Sequence, residues 1–425
     1  MNNRVPKGWG IYELGDLAKK IEGGGTPPRI EPTYWDGGIP WATVKDLRRV
    51  SLTSTAEFIS AQGLEKSSSK LIPAYTMIIA CRMAVGKAVY FDRDVAINQD
   101  LKAFYPVREV DWRFILHWYL SQSEKIENLA TGSTVKGIRL DDLKLLPIDL
   151  PPLPEQKKIA AILSSVDEVI EKTRAQIDKL KDLKTGMMQE LLTKGIGPRG
   201  VPHTEFKDSP VGRIPVGWES HLLGDVFELK NGVNKDKEAF GHGVPIISYK
   251  NVYVGGGIKD SDLGALVEMN ETELSRFRVH FGDVFFTRTS ETPDEIGFAN
   301  VYLGQRDDVV FNGFVIRARQ KNDLFHPQFL KYIFQSNAVR KQMMDNSKFT
   351  TRAGISGESL SRIAIAVPDI SEQKNIANAL ASIEARITKT LNKINAFQSF
   401  KKALMQDLLT GKVRVQVDAQ ELAEA

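Results

Sequence analysis

Catalysis needs nucleophiles, titratable pairs or metal cages, and this 425-residue chain offers few places to build them. Its six histidines are scattered and it has one cysteine. No His-Glu-x-x-His spacing occurs, so a protein-built metal cage is not expected. Cys81 ends the apolar run Thr76-Met77-Ile78-Ile79-Ala80 and reads as a buried structural thiol. A lone cysteine also suits a reducing compartment. Gly86-Lys87-Ala88 and Gly411-Lys412-Val413 lack both the Ser/Thr and the upstream glycine of a phosphate-binding loop, and read as turns. Pro368-Asp369 followed by Glu372-Gln373-Lys374 has the letters of a metal-dependent nuclease. Those carboxylates belong on neighbouring strands, however, whereas Glu372 opens a helix. Asp149-Leu150-Pro151-Pro152 matches an adenine methyltransferase signature only by letters, because Leu150 interrupts it and no Gly-rich turn precedes it. No catalytic residue is assigned. Two readings stay open: a double-headed binding protein, or an enzyme of unrecognised type.

The elements that would position any site are easier to read. Between Glu155 and about Leu192, Ile159, Leu163, Val166, Ile170, Thr173, Ile177, Leu180, Lys184, Met187 and Leu191 recur at alternating steps of four and three. This is the a/d seam of a coiled coil. Adding 217 to each number gives Ile376, Leu380, Ile383, Ile387, Thr390, Ile394, Phe397, Lys401, Leu404 and Leu408, without a gap. Two helices with matching seams most simply bury them against each other; separate packing of each helix on its own domain is the alternative. Lys184 and Lys401 break the seam, either snorkelling near the helix ends or marking where the pair splays.

The repeat extends to the rest of the chain. Pro6-Lys7-Gly8-Trp9 matches Pro215-Val216-Gly217-Trp218, and Ile39 to Leu47 matches Val244 to Val252. Each middle section is rich in β-branched and aromatic residues with frequent turn signals, which suggests twisted antiparallel sheet. A helix follows in both, from Trp112 to about Asn128 and from Pro327 to about Asp345. A polar loop comes next, Thr131 to Lys136 or Lys348 to Arg352, and then a proline-containing strap into the long helix. Asp369 and Ser371 are candidate caps. The polar, Gly- and Pro-containing stretch from Gly195 to Pro215 reads as the linker.

Length favours more than one core. The 42% hydrophobic and 26% charged fractions fit a globular protein, and the net charge of +4 permits a polyanionic partner without demanding one. No run of about 18 apolar residues suggests a membrane span. The opening Met1 to Lys7 has no apolar core of a signal peptide. The expected location is cytoplasmic, with no membrane partner.

This layout resembles the specificity (S) subunit of type I restriction-modification systems over nearly the whole chain. The resemblance rests on Gly24-Gly25-Thr26-Pro27 with Tyr34-Trp35 and Ile39-Pro40-Trp41, on Gly132-Ser133-Thr134, on Leu150-Pro151-Pro152-Leu153-Pro154-Glu155-Gln156, and on the duplicated helix. The second half departs from the pattern, with Lys348 to Arg352 in place of Gly-Ser-Thr and Val367 to Gln373 entering its helix. The resemblance implies an α+β fold in which two target-recognition domains are joined by two long helices pairing as an antiparallel coiled coil. The implied division is a first recognition domain at 1–150, a spacer helix at 151–196 and a linker at 197–214, then a second domain at 215–367, a second spacer helix at 368–412 and a tail at 413–425. It implies a non-catalytic DNA-recognition subunit reading an asymmetric bipartite site on double-stranded DNA. Its partners would be two methylation (M) subunits and restriction (R) subunits. S-adenosylmethionine, ATP and Mg would then reside on those partners, with no cofactor here. The alternatives are a subunit of a methylase-only complex, or a coiled-coil scaffold that binds protein.

Under this resemblance, a helix of about 38 residues would hold the domains on the order of 57 Å apart. Half-sites read from one face of the duplex would be separated by roughly one helical turn. Base and phosphate contact calls for Arg, Lys, amide and hydroxyl groups in turns. The candidates in the first domain are Arg29, Lys45, Arg48, Arg49, Arg82, Lys87, Ser133, Thr134 and Lys136. Those in the second are Asn231, Lys235, Lys237, Tyr249, Lys250, Asn251, Arg288, Thr289, Thr351 and Arg352.

Overall fold

A computed structural model of the chain describes residues 5–417 apart from 133, 198, 199 and 350. Two helices of 39 residues dominate it, Leu153–Leu191 and Ile370–Leu408. Both start where the straps end, because proline is tolerated in a first turn but not further in. Asp369 caps the second helix, its Oδ1 accepting the Glu372 amide at 2.9 Å. Ser371 falls inside the first turn and is no cap. Among the described residues no helix is long and apolar enough to cross a membrane.

The chain separates into two compact units, with breaks after Ala175 and after Thr390. One unit holds everything described up to Ala175 together with the chain from Leu391; the other runs from Gln176 to Thr390. Each unit therefore contains the first half of one long helix and the second half of the other, which is antiparallel pairing.

In the first unit, a sheet orders Ala18–Gly23, Leu101–Pro106, Met77–Ala80, Ala88–Phe91 and Ser51–Leu52, and a second sheet is built around Ile39–Ala42. The second unit has Phe227–Asn231, Val315–Gln320, Val284–Thr287 and Ala299–Val301, with a smaller sheet around Phe240–Ile247. The ladders are mostly antiparallel as expected. Three two-residue pairings are parallel, however, joining Trp41-Ala42 to Ala96-Ile97, Ser51-Leu52 to Tyr90-Phe91, and Ile246-Ile247 to Val310-Phe311. Each helix that follows the sheet is broken once. Trp112–Ser121 yields to Ser123–Leu129 at Gln122, and Pro327–Ile333 yields to Asn337–Asp345, where Ser336 caps the new start.

The opening of each half pairs with its strap, Gly10–Glu13 with Pro147–Leu150 and Glu219–Leu222 with Ala364–Val367. A buried carboxylate then fastens opening to helix. Glu155 accepts from Trp9 Nε1 at 3.1 Å, and Glu372 accepts from Trp218 Nε1 at 3.0 Å. The next residue repeats as closely. Gln156 donates to the Pro151 carbonyl at 2.8 Å and accepts from the Asp111 amide at 2.9 Å, while Gln373 donates to Pro368 at 2.9 Å and accepts from His326 at 2.8 Å. The segment leaving the other long helix completes each fastening. Arg414 forks onto Glu155 at 2.6 and 2.7 Å. His203 Nε2 and the Ile196 amide donate to Glu372 at 3.0 and 2.7 Å. The stretch read as a linker is thus structured: it is pinned at both these points and then forms a hairpin, Phe206–Ser209 with Gly212–Pro215. Its polar composition hid this, because the turn residues of a hairpin and of a linker are the same.

The expected seam is buried. Ile159, Leu163, Val166, Ile170, Ile177, Leu180, Ile376, Leu380, Ile383 and Ile394 are all at most 9% exposed, and Ile387 and Phe397 are half-buried. Lys184 and Lys401 neither snorkel nor mark a gap. Within the first unit Lys401 Nζ sits 2.7 Å from Asp167, and within the second Lys184 Nζ sits 2.8 Å from Glu384. Asp167 and Glu384 are also 217 positions apart, so one interhelical ion pair is made twice. The broken helices reach the same spot. His117 Nε2 lies 3.1 Å from Ser164 Oγ and its other ring nitrogen 3.8 Å from Asp167, whereas Tyr332 donates to Glu384 at 3.0 Å and Lys331 pairs with it too.

Electrostatics separates the copies. Burial lifts the Asp167 carboxyl above its ordinary range despite Lys401. At Glu384 burial acts in the same direction, but Lys184 and Lys331 outweigh it and the group titrates low. Burial, with Lys401 and Arg113 nearby, pulls His117 down to about 3, so it stays neutral and gives Asp167 no charge. Lys401→Met should therefore cost about 2 kcal/mol, below the ~3–5 kcal/mol of a fully buried pair because Asp167 keeps some water contact. Lys184→Met leaves Glu384 two partners and should cost less than about 1 kcal/mol. Urea unfolding of the two variants measures this, and equal costs would contradict the assignment.

Candidate nucleic-acid interface

The strand Met77–Ala80 runs into the turn that carries Arg82 and Lys87. This turn is stitched to the 131–137 loop: Arg82 pairs with Gly137 as an antiparallel bridge, Ile138 donates to the Cys81 carbonyl at 2.9 Å, and Met83 donates to the Lys136 carbonyl at 2.8 Å. Lys87 Nζ donates to the Leu47 carbonyl at 3.3 Å, which brings in the loop of Lys45, Arg48 and Arg49. All of these cationic side chains, with Thr134 and Lys136, are exposed. Arg82 lies 3.5 Å from Asp100, and Arg49 lies 3.3 Å from Glu171 on the first long helix. Three expected loops thus converge on one surface. Ser133 lies outside the described residues.

Arg29 is engaged differently. Its guanidinium forks onto Glu57, with one contact at 3.0 Å, and lies 3.6 Å over the Trp35 ring. The Glu57 partnership holds Arg29 above its ordinary pKa. This arrangement braces the Gly24 to Pro28 segment, whose Gly25 carbonyl accepts from Trp41 at 3.1 Å.

The second unit repeats the framework with other side chains. Thr289 pairs with Gly354 as Arg82 does with Gly137, and Ile355 donates to the Arg288 carbonyl at 3.0 Å as Ile138 does to Cys81. Thr289, Thr351 and Arg352 are exposed there. Arg352 pairs with Glu291 at 3.0 Å, and Arg288 Nη1 donates to the Gly313 carbonyl at 3.1 Å. Beside them the turn of helix Tyr249–Tyr253 carries Tyr249, stacked on Tyr253 with ring centroids 5.8 Å apart. Burial and the Glu295 carboxylate raise the Tyr249 hydroxyl's pKa, so it stays a donor. Lys250 is exposed, but the Asn251 amide is spent on capping, accepting from Ser248 at 2.9 and 2.7 Å and donating to Asp262 at 2.7 Å. Lys235 is spent as well, in an ion pair with Glu273 at 2.6 Å. Asn231 and Lys237 are exposed, at a strand end and on a 3-10 turn.

Met83 was not among the expected residues. It has φ of +63° and is 61% exposed, within the basic surface of the first unit. An apolar side chain held there by strained backbone suits contact with a base edge. No sequence signal announces it, because left-handed backbone is not expected of methionine.

This duplicated architecture, with basic and hydroxyl-bearing turns at equivalent places, defines a double-domain recognition protein. The family model described as "Type I restriction modification DNA specificity domain" matches twice, over residues 6–182 and 215–396. The chain belongs to that family of type I restriction-modification specificity subunits. It is 27% identical to the Type I restriction enzyme MjaVIII specificity subunit of Methanocaldococcus jannaschii, covering 97% of this chain and 94% of that one. It is 24% identical to the EcoKI specificity subunit of Escherichia coli K12, over 99% and 92% of the two chains. Its fold matches the crystal structure of the S subunit from M. genitalium with a TM-score of 0.54 at 15% identity, covering 96% and 97%.

Two candidates make opposite predictions. Arg48→Ala should reduce the slope of log K against log salt for duplex binding by about 0.9, the value for one phosphate contact. Arg29→Ala should leave that slope unchanged and cost about 1 kcal/mol of stability through the lost fork and ring contact. Reversed outcomes would exchange the roles given to them.

Proposed function

We propose that this chain is the DNA sequence-recognition subunit of a type I restriction-modification complex, each unit reading one half of an asymmetric bipartite site. The observation that carries this reading is one backbone framework made twice with different side chains. Arg82 and Thr289 occupy the same ladder position, opposite Gly137 and Gly354. A shared frame with unlike surfaces suits two different half-sites; two copies of one surface would suit a palindrome.

In this reading the recognition domains span 1–150 and 215–367, with the long helices as spacers. Methylation subunits, two per chain, dock on the repeated helical frame, and restriction subunits join that assembly. The chain contributes recognition and no catalysis. S-adenosylmethionine, ATP and Mg belong to the partner subunits. The family membership and the M. jannaschii and E. coli relatives, named as specificity subunits, support this division of labour.

The helices act as a ruler under this reading. Inserting one heptad after Ala175 and a matched heptad after Thr390 lengthens the pair by roughly 10 Å at 1.5 Å per residue. The gap between half-sites should grow by about three base pairs, with neither half-site sequence altered. Mapping methylated adenines in cells carrying the variant reads out the gap, and an unchanged gap would defeat the ruler.

A further inference from the structure

A second basic feature of the second unit lies off the turns. On one face of its main sheet Lys230 stands directly opposite Arg317, and Glu228 opposite Arg319. The segment that covers this face adds Arg276 and Arg278. Five cations therefore lie on or beside this face, and among the described residues Glu228 and Asp283 are the carboxylates that pair with them. Asp283 is consumed by Arg319, which forks onto it at 2.8 and 2.6 Å, and Glu228 reaches Arg317 at 3.3 Å. Among the described residues neither Arg276 nor Lys230 forms an ion pair. Lys230 Nζ donates to the Arg276 carbonyl at 2.7 Å, and both side chains lie 5.4 Å from the Phe277 ring.

The charge is also poorly compensated inside. Arg317 is 2% exposed, and its Nε, like that of Arg278, is buried with no hydrogen-bond partner among the described residues. Burial and the neighbouring Arg317 and Arg276 pull Lys230 below its ordinary pKa, as an uncompensated positive field should. A buried cation set beside other cations is costly without an anion, and a bound anion would offset that cost.

Position selects the kind of anion. Along the ladders Val315 pairs with Thr287, the residue before Arg288 and Thr289, and Arg317 lies two residues further on the same strand. The cluster thus continues the candidate interface of this unit. In the first unit the ladder position of Arg317 is taken by Ala103, which stands opposite Glu22, so the feature belongs to one half only.

We propose that this cluster is a phosphate site for the DNA backbone, contacted by Arg276 and Lys230 and backed by the field of Arg317 and Arg319. The proposal rests on the recognition reading above and adds a sequence-independent anchor at one half-site. It gives the second domain tighter non-specific attachment, leaving the first domain's surface to sample its half-site from a tethered complex.

The test uses the full chain and a labelled duplex of about 30 base pairs of arbitrary sequence, titrated across a salt series, with Arg276→Gln expected to lower the log–log slope by about 0.9. Arg276→Lys should keep most of it. Arg276 is exposed, so the variant should fold, and an unfolding midpoint equal to the parent's verifies this. An unchanged slope in the folded Gln variant overturns the proposal. Stabilisation of the parent by inorganic phosphate, lost in the variant while the duplex slope stays unchanged, also overturns it by marking a free-anion site. No duplex binding by the parent defeats the recognition reading and this proposal together.

Discussion

A buried carboxylate at the start of each long helix is the constraint on which the fold depends. Removing Glu155 or Glu372 from water is costly unless every oxygen finds a donor. In each unit the donors come from two distant parts of the sequence, the tryptophan that opens the domain and the segment leaving the other long helix. The carboxylate thus fixes three chain segments at one point. The adjacent glutamine fixes two more backbone turns, because its amide both donates and accepts. The recurrence of Glu-Gln-Lys in the sequence is the trace of this requirement.

The interhelical ion pairs carry the same logic into the seam. An a/d position filled by lysine costs apolar burial, yet Lys184 and Lys401 each meet a carboxylate on the opposite helix. Register is a natural role for such a pair, since a heptad slip would strand both charges. The two pairs nevertheless have different surroundings. Neutral His117 faces Asp167, whereas Lys331 and Tyr332 face Glu384, so the repeat conserves the contact and varies its strength.

The helices, their seam, the straps and the order of domains were legible from periodicity and from comparing the two halves. Periodicity reports burial directly, and Ile159 to Leu180 answered to it. The hairpin at Phe206 to Pro215 was hidden because its turn residues are those of a linker, and the partners of the seam lysines were not legible because they lie far away in sequence. The candidate interface was partly legible. Arg48, Arg82, Lys87 and Lys136 converge as turn residues should, but Arg29, Lys235 and Asn251 hold their own loops together. Residue type cannot distinguish a cation that faces solvent from one already paired with Glu57 or Glu273. The strand-borne cluster around Arg317 was missed for the opposite reason. A search of turns overlooks charges that alternate along a sheet face.

The proposed function rests on two unlike surfaces on one repeated frame, and under it the sequence modified in the host genome would report on both at once. Mapping methylated adenines in cells containing the chain and its methylation partners should yield one asymmetric motif: two different specified blocks separated by a gap of fixed length and free sequence. A single contiguous motif, a palindrome, or a gap of variable length would contradict it.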